Sequence, residues 1–513
     1  MANRAYPLAA IATALILAFL TLGSAVVVAS QASTWALGPA DWAALRFTVE
    51  QAALSAGISG FLAIPVARAL ARRSFVGRGT LIRLMAAPFL LPVVVAVLGL
   101  LAVFGRAGPV NQALSGLGLP PISIFGLHGV VLAHVFLNLP LAVRMILMGW
   151  QSIPAERFRL ARSLGLSGSS VFRHLELPML RAVLPGIVSV IFLLCLTSFA
   201  IALTLGGGPA ASTLELAIYQ SLRFEFDLGR AAMLAGVQFL LCALVAVSTG
   251  WFTLPLDFGT GLDRGIAMIA PGGVRRLADG VVILLAAALL LVPLLAVVMR
   301  GLSGLGDLPA TLWPAAGRSV AIAVGSALLS AAAALTLAIA SAPRANRWAE
   351  LSAMLPLATS GLVLGTGLFL VVHPVLSPEK LAVPVTVLVN AVLALPFIFR
   401  LLMPEARQLH ADYGRLCQSL GLTGVTRLRW VTLPRLARPL GFGTGLAAAL
   451  SMGDLGVIAL FAGDQGATLP LLVQRLMGAY RMDAAAGAAL VLVAFSFLLF
   501  WLFDWIGSRN AAT

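Results

Sequence analysis

Two stretches decide the fold. The first reads Arg159-Leu160-Ala161-Arg162-Ser163-Leu164-Gly165 and continues to Leu175-Glu176-Leu177-Pro178. The second reads Arg415-Leu416-Cys417-Gln418-Ser419-Leu420-Gly421 and continues to Val431-Thr432-Leu433-Pro434. Both follow one frame: R-L-x-x-S-L-G, nine residues, an apolar residue, any residue, then Leu-Pro. Gly165 and Gly421 lie 256 residues apart, and the same offset relates Leu139-Pro140 to Leu395-Pro396 and Arg144 to Arg400. Landmarks this far apart that share one offset mark an internal duplication.

Each stretch reads as an elbow. Pro154 suits the first turn of a short helix through Ala155, Leu160 and Ala161. Gly165 suits the helix stop, where a left-handed backbone is needed. Pro178 then opens the next long apolar run. The second elbow is expected to repeat this over 404–420, with Pro404 in the place of Pro154, then Gly421 and Pro434. An elbow with an apolar side and a basic side suits docking into a groove on a partner protein.

Outward from the elbows the chain is apolar. Of 513 residues, 60% are hydrophobic and only 10% charged, against about 25% charged in soluble domains. The solvent for most of this surface is lipid. Runs long enough to span fall at roughly 7–30, 45–71, 84–105, 127–150, 183–206 and 231–255, then at 277–300, 317–342, 351–373, 381–403, 437–462 and 484–507. That predicts an all-α polytopic membrane protein of about twelve spanning helices, because helices satisfy their own backbone in lipid. The first run is too long for a signal-peptide core of roughly 7–15 residues and reads as an uncleaved span.

Charge placement sets the expected orientation. The net charge of +15 lies in short arginine clusters between apolar runs, which argues for topology and against nucleic acid. Arg68, Arg72, Arg73, Arg78 and Arg83 follow the second run, and both elbows are arginine-rich. The alternating loops 31–44 and 301–315 hold no arginine. By the positive-inside rule both termini and both elbows face the cytoplasm. Residues 1–255 then form one unit with its elbow at 153–181. Residues 277–513 form a second with its elbow at 404–437. Residues 256–276 are a cytoplasmic linker. A shift of six helices makes the units parallel repeats.

The elbow resembles the E-A-A loop of binding-protein-dependent ABC importer permeases: E-A-A, three residues, G, nine residues, I-x-L-P. Arg159, Leu160 and Ala161 stand where E-A-A stands, followed by Gly165, Leu175, Leu177 and Pro178. Arg415, Leu416 and Cys417 take those places in the second copy, followed by Gly421, Val431, Leu433 and Pro434. Neither copy keeps the Glu. The resemblance implies a type I importer fold, with elbows that seat in two ATP-binding subunits and a periplasmic binding protein on the other face. Within the family, fused double permeases serve thiamine and iron(III). The segments 205–209 (LGGGP), 213–220 (TLELAIYQ), 231–234 (AAML) and 417–421 (CQSLG) resemble the thiamine and thiamine pyrophosphate branch. The implied location is the bacterial inner membrane.

Candidates for the transport path follow from cost, since ionisable groups inside a membrane are expensive and default to function. Asp454 lies in the run 437–462, and Ser198 is its counterpart at the 256 offset. Three roles fit Asp454: attracting a cationic ring, capping a broken helix, or pairing with an arginine. His134 and Asn138 lie in the fourth run and fit packing or the path. Thr213, Glu215, Tyr219 and Gln220, with Arg223, Glu225 and Asp227, read as a polar outward loop that fits covering the cavity, meeting a delivering binding protein or plain solvation, and Phe224 and Phe226 as a half-buried segment within it.

Other classes are excluded or ranked by absence. The chain has no G-x-x-x-x-G-K-[ST], so ATP and its magnesium are expected on a partner chain and no cofactor on this one. Cys195, Cys242 and Cys417 have no metal or disulfide spacing and read as small apolar filler. No catalytic set converges, so no enzyme is expected. A secondary transporter is the rival class, but it needs no elbow repeat.

Overall fold

A computed structural model describes residues 5–32, 35–208, 211–249, 273–343, 347–463 and 466–510. The linker expected at 256–276 lies outside these residues except at its last few positions.

The described residues form helices throughout. The first set runs α1 (Ala5–Ala18), α2 (Ser24–Gln31), α3 (Pro39–Arg72), α4 (Arg78–Leu84), α5 (Ala87–Leu90), α6 (Val93–Phe104) and α7 (Pro109–Gly116). It continues with α8 (Leu127–Gln151), α9 (Ala155–Ser163), α10 (Gly168–Val171), α11 (Leu177–Leu196), α12 (Phe199–Leu205), α13 (Leu214–Gln220) and α14 (Leu228–Thr249). The second set runs α15 (Val274–Ser303), α16 (Leu312–Ser341), α17 (Arg347–Met354), α18 (Gly361–Val372) and α19 (Ala382–Ser419). It ends with α20 (Gly424–Arg427), α21 (Leu433–Met452), α22 (Gly456–Phe461), α23 (Leu469–Gly478) and α24 (Met482–Arg509). Eleven helices are long and apolar enough to cross a membrane, or twelve when the bent pair Trp348–Ala358 and Gly361–Val372 counts as one span. The outer helices wear their apolar residues outward: Leu277, Leu284 and Met299 of α15 are 71%, 68% and 73% exposed. Lipid is the solvent such a surface requires.

Matched local geometry ties the two sets together. The Thr48 hydroxyl accepts from the Leu214 N–H at 2.8 Å, and the Ser319 hydroxyl accepts from the Leu469 N–H at 2.8 Å. Phe226 and Tyr480, just before α14 and α24, both hold positive φ, at 54° and 58°. Non-glycine residues rarely do so, so the shared strain fixes the register of the last helix in each set.

The sets interlock by exchanging their first helices. Helix α1 packs on α16 and α2 on α18, while α15 packs on α3 and α6. Glycine makes both crossings close. A Cβ at Gly99 would lie 2.7 Å from the Pro293 carbonyl, and one at Gly367 would lie 2.9 Å from the Ser24 carbonyl. Small residues at such crossings let backbones touch where no hydrophobic force draws helices together.

Several expected spans are broken. The run 84–105 is interrupted before α6, where Pro92 pushes Leu91 into an extended conformation, ψ 127°. The run 351–373 bends by 90° before α18, where Ser360 caps the new helix by accepting from the Val363 N–H at 3.2 Å. The run 183–206 breaks at Thr197 and Ser198. There the Thr197 hydroxyl bonds back to the Leu193 carbonyl at 3.3 Å, a local bond that competes with helix continuation. The run 437–462 breaks at residues 453–455, where Gly453 and Asp454 are poor helix formers. A hydropathy window cannot see a break of two or three residues.

Candidate functional site

The elbows are built alike at their stops. Leu166 donates to the Ala161 carbonyl at 3.0 Å and Gly165 to the Arg162 carbonyl at 3.0 Å. Leu422 donates to the Cys417 carbonyl at 2.8 Å and Gly421 to the Gln418 carbonyl at 3.2 Å. Both are complete Schellman motifs, with Gly165 and Gly421 at φ 63° and 65°. A short helix and a π-turn follow, Phe172–Glu176 in one copy and Leu428–Thr432 in the other. Leu177 and Leu433 then begin α11 and α21, with Pro178 and Pro434 in the first turn, where a missing N–H costs nothing.

Each elbow turns one side in and one side out. Ala161 and Cys417 are buried at 3% and 2%, so the third position of each motif packs and tolerates only a small side chain. Leu160 and Leu164 are 59% and 64% exposed, and Leu416 and Leu420 are 51% and 63% exposed. Arg159 and Arg415 stand exposed beside them. Arg159 pairs with Glu156 one turn back at 3.2 Å. The result is a pair of apolar knobs at i, i+4 with basic flanks, presented twice.

The elbows differ at their roots, and here the sequence expectation is corrected. The first is a separate helix: α8 ends at Gln151, and Pro154 begins α9 from an extended conformation, ψ 134°. The second has no separate arm, because α19 runs unbroken for 38 residues through Pro404. The 256 offset places His410, not Pro404, opposite Pro154. His410 lets the helix continue where Pro154 forces its predecessor out of it. The bases are locked differently too. Arg68 of α3 donates to buried Glu176 at 2.5 Å and covers the Phe172 ring at 4.6 Å. In the second elbow Thr432 replaces Glu176, and Arg435 covers Tyr413 at 4.8 Å.

The four helix breaks gather where the sets meet. A Cβ at Gly453 would touch Pro92 at 3.1 Å, and one at Gly456 would touch Phe199 at 3.7 Å and Leu362 at 3.5 Å. The first turns of α6, α12, α18 and α22 therefore crowd one region. Asp454 sits at the α21–α22 break, and its carboxylate faces the backbone N–H groups of Val457, Ile458 and Gly456 and the Asn390 amide. Of the roles open to it, this is the geometry of a helix cap. It lines a narrow gap with Ser319, Thr386, Ser451 and Thr468 and with Ile322, Met452, Ile458 and Pro470 of its own set. Ser198 occupies the matching break and carries no charge. There the carboxylate comes from Glu215 of α13, which faces the Phe199 backbone N–H and the Ser360 side chain. The α11–α12 and α21–α22 breaks thus have one acid each, supplied from different chain positions.

His134 and Asn138 lie deeper in the first set. His134 Nδ1 is 3.3 Å from the Ser55 hydroxyl, and the Asn138 amide donates to Cys195 Sγ at 3.4 Å. The second set repeats the cluster, with Asn390 and Ser326 both donating to the Ser451 hydroxyl at 2.9 and 2.7 Å. These residues tie helices together within a set. All three cysteines are free and buried.

The outward loop expected at 213–227 is corrected. Residues 214–220 form α13, capped by the Thr213 hydroxyl accepting from Leu216 at 3.3 Å. Thr213 and Glu215 are 3% and 2% exposed. Phe224 and Phe226 are exposed instead of half-buried, at 68% and 78%. Sequence reading missed Glu215 as a site residue. The signal was present: Leu214, Ala217 and Ile218 fall at helical spacing behind a Thr cap.

Residues 59–255 match the family described as binding-protein-dependent transport system inner membrane component. The chain is 40% identical over 487 residues to the thiamine transport system permease protein ThiP of Salmonella typhimurium, covering 92% of this chain and 90% of that one. It is 39% identical over 519 residues to the protein of the same name from Escherichia coli, covering 96% of each. A Brucella abortus ThiP is 40% identical over 479 residues, covering 90% of this chain and 87% of the relative.

Proposed function

We propose, from a chain that belongs to the family of binding-protein-dependent transport system inner membrane components, that this protein is the membrane permease of an ATP-driven importer of thiamine or its pyrophosphate. The observation that carries the reading is identity near 40% from end to end with thiamine permeases. The duplicated elbow supports the importer class independently of substrate.

In this reading residues 1–255 and 277–513 are two permease units fused through a linker. Both elbows and both termini face the cytoplasm, and the protein lies in the inner membrane. Arg159, Leu160, Ala161, Gly165, Leu177 and Pro178 form one coupling elbow. Arg415, Leu416, Cys417, Gly421, Leu433 and Pro434 form the other. Each seats in one ATP-binding subunit, so ATP is hydrolysed on partner chains. A periplasmic binding protein delivers the solute to the opposite face. When the ATP-binding subunits close, they move both elbows and tilt the units against each other, which opens the region of helix breaks to one side at a time. Asp454, Ser198, His134 and Asn138 remain candidates for the path, with Asp454 and Ser198 nearest to where the units part.

The test is uptake of labelled thiamine by cells lacking their own thiamine permease, supplied with this chain, its ATP-binding subunit and its binding protein. Uptake that depends on all three is expected. Equal uptake without the ATP-binding subunit would overturn the importer reading, and no thiamine uptake beside transport of another solute would overturn the substrate.

A further inference from the structure

The two sets match closely, so the positions where they do not match are informative. Three buried polar residues of the first set have apolar counterparts in the second. The Thr48–Leu214 and Ser319–Leu469 bonds fix the register of α3 with α16 and of α13 with α23. In that register Gln51 stands opposite Ile322, and Glu215 opposite Pro470. The Phe226 and Tyr480 turns fix α14 with α24, which places Gln238 opposite Leu492. Gln51 and Gln238 are fully buried and Glu215 is 2% exposed, while Ile322 and Leu492 are equally buried. At these three positions the second set packs Ile322, Pro470 and Leu492, and its own acid at the matching break is Asp454, which also keeps one carboxylate oxygen, Oδ2, without a donor.

The three residues converge on one feature, the α11–α12 break. The Gln51 amide donates to the Cys195 carbonyl at 2.9 Å, and the Gln238 amide donates to the adjacent Leu196 carbonyl at 2.9 Å. These bonds fix which end of each amide is oxygen. Glu215 faces the Phe199 N–H just beyond the break, and the Gln238 amide also reaches Cys242 Sγ at 3.6 Å. What remains is one chemical type. Gln51 Oε1, Gln238 Oε1 and Glu215 Oε1 are buried acceptors to which no protein group donates. A buried acceptor without a donor costs about 1–3 kcal/mol, and a native fold keeps such groups for a reason. The α11 C-terminus, the negative end of a helix dipole, lies in the same place, and its Cys195 and Leu196 carbonyls take the two amide N–H groups.

We propose that Glu215, Gln51 and Gln238 form a cation-binding site at the α11–α12 break. The set supplies a carboxylate, two amide oxygens and a helix C-terminus, all electron-rich. Broken helices in transporters hold cations with unwound backbone carbonyls and half-helix C-terminal ends. Glu215 also faces Ser360 of the second set, so parting the two sets uncovers its carboxylate. The cation has two sources: the positively charged ring of the transported solute, which rests on the function proposed above, or an alkali ion, which does not.

The experiment uses the purified permease with its ATP-binding subunits in nanodiscs. The unfolding temperature is followed while thiamine, sodium chloride or potassium chloride is titrated, with N-methylglucamine chloride as the control for ionic strength. A saturable rise with at least one of the three is expected. A rise with thiamine assigns the site to the solute, and a rise with sodium or potassium assigns it to an ion. Glu215→Gln is expected to weaken the apparent affinity at least about tenfold, the scale of a lost charged hydrogen bond. The double variant Gln51→Ile with Gln238→Leu carries the residues of the second set. It is expected to fold and to lose the cation-dependent rise. No rise beyond the control, or variants that respond like the parent, would overturn the site. Thiamine uptake by the parent chain, measured alongside, separates failure of the site from failure of the transport reading.

Discussion

Arg68 and Glu176 carry the sharpest prediction at the residue scale. Glu176 is 2% exposed and its described ion-pair partner is Arg68. Arg68→Ala strands that charge, and losing one partner of a buried pair costs about 3–5 kcal/mol. Thr432 fills the matching place in the second elbow. Adding Glu176→Thr to Arg68→Ala is therefore expected to recover most of the lost thermal stability in detergent, and no recovery would show that Arg68 acts by some other contact. Gly99 and Gly367 make a second test. Leu at either forces a side chain into a facing backbone, and overpacking of this kind costs about 1–3 kcal/mol or more. A fall in unfolding temperature from each is expected, while Leu at Gly306, where an added Cβ meets nothing, is expected to leave it unchanged. At this scale the sequence was uneven. Asp454 stood out because it interrupts an apolar run. Glu215 did not, because Arg223, Glu225 and Asp227 close by made the whole stretch look like a solvated loop.

At the scale of elements, the two elbows are the parts proposed to couple to the ATP-binding subunits. The glycine stop and Leu-Pro of each elbow were legible, because a left-handed turn and a helix start have few residue types that suit them. The root of the second elbow was not legible. Proline inside a pattern reads as a break, and Pro404 was paired with Pro154 although the repeat offset aligns His410 there. The difference is testable. His410→Pro gives the second elbow the separate arm of the first, and proline within a helix costs about 3 kcal/mol. The variant is expected to keep its ATP-binding subunits but to lose much of its solute-stimulated ATP turnover. Turnover equal to the parent would mean that a continuous α19 is not needed to transmit motion.

At the scale of the whole molecule, the exchange of first helices decides how the chain holds together. With α1 and α2 packed on α16 and α18, and α15 on α3 and α6, neither set is complete without the other. Duplication was visible in sequence because it repeats residues at a fixed offset. Exchange was not, because a contact between sets leaves no periodic signal. Cutting the chain within 256–272 and co-expressing the pieces is expected to give a complex that co-purifies, and pieces that separate would contradict the exchange.

The duplicated elbow is proposed to seat two ATP-binding subunits on one chain. Native mass spectrometry of the purified complex tests it most directly. Two ATP-binding subunits per permease are expected. Leu164→Asp or Leu420→Asp is expected to cost docking at the altered elbow, since burying a leucine contributes about 1.5–3 kcal/mol. The parent binding a single subunit, or both variants retaining two with unchanged affinity, would contradict it.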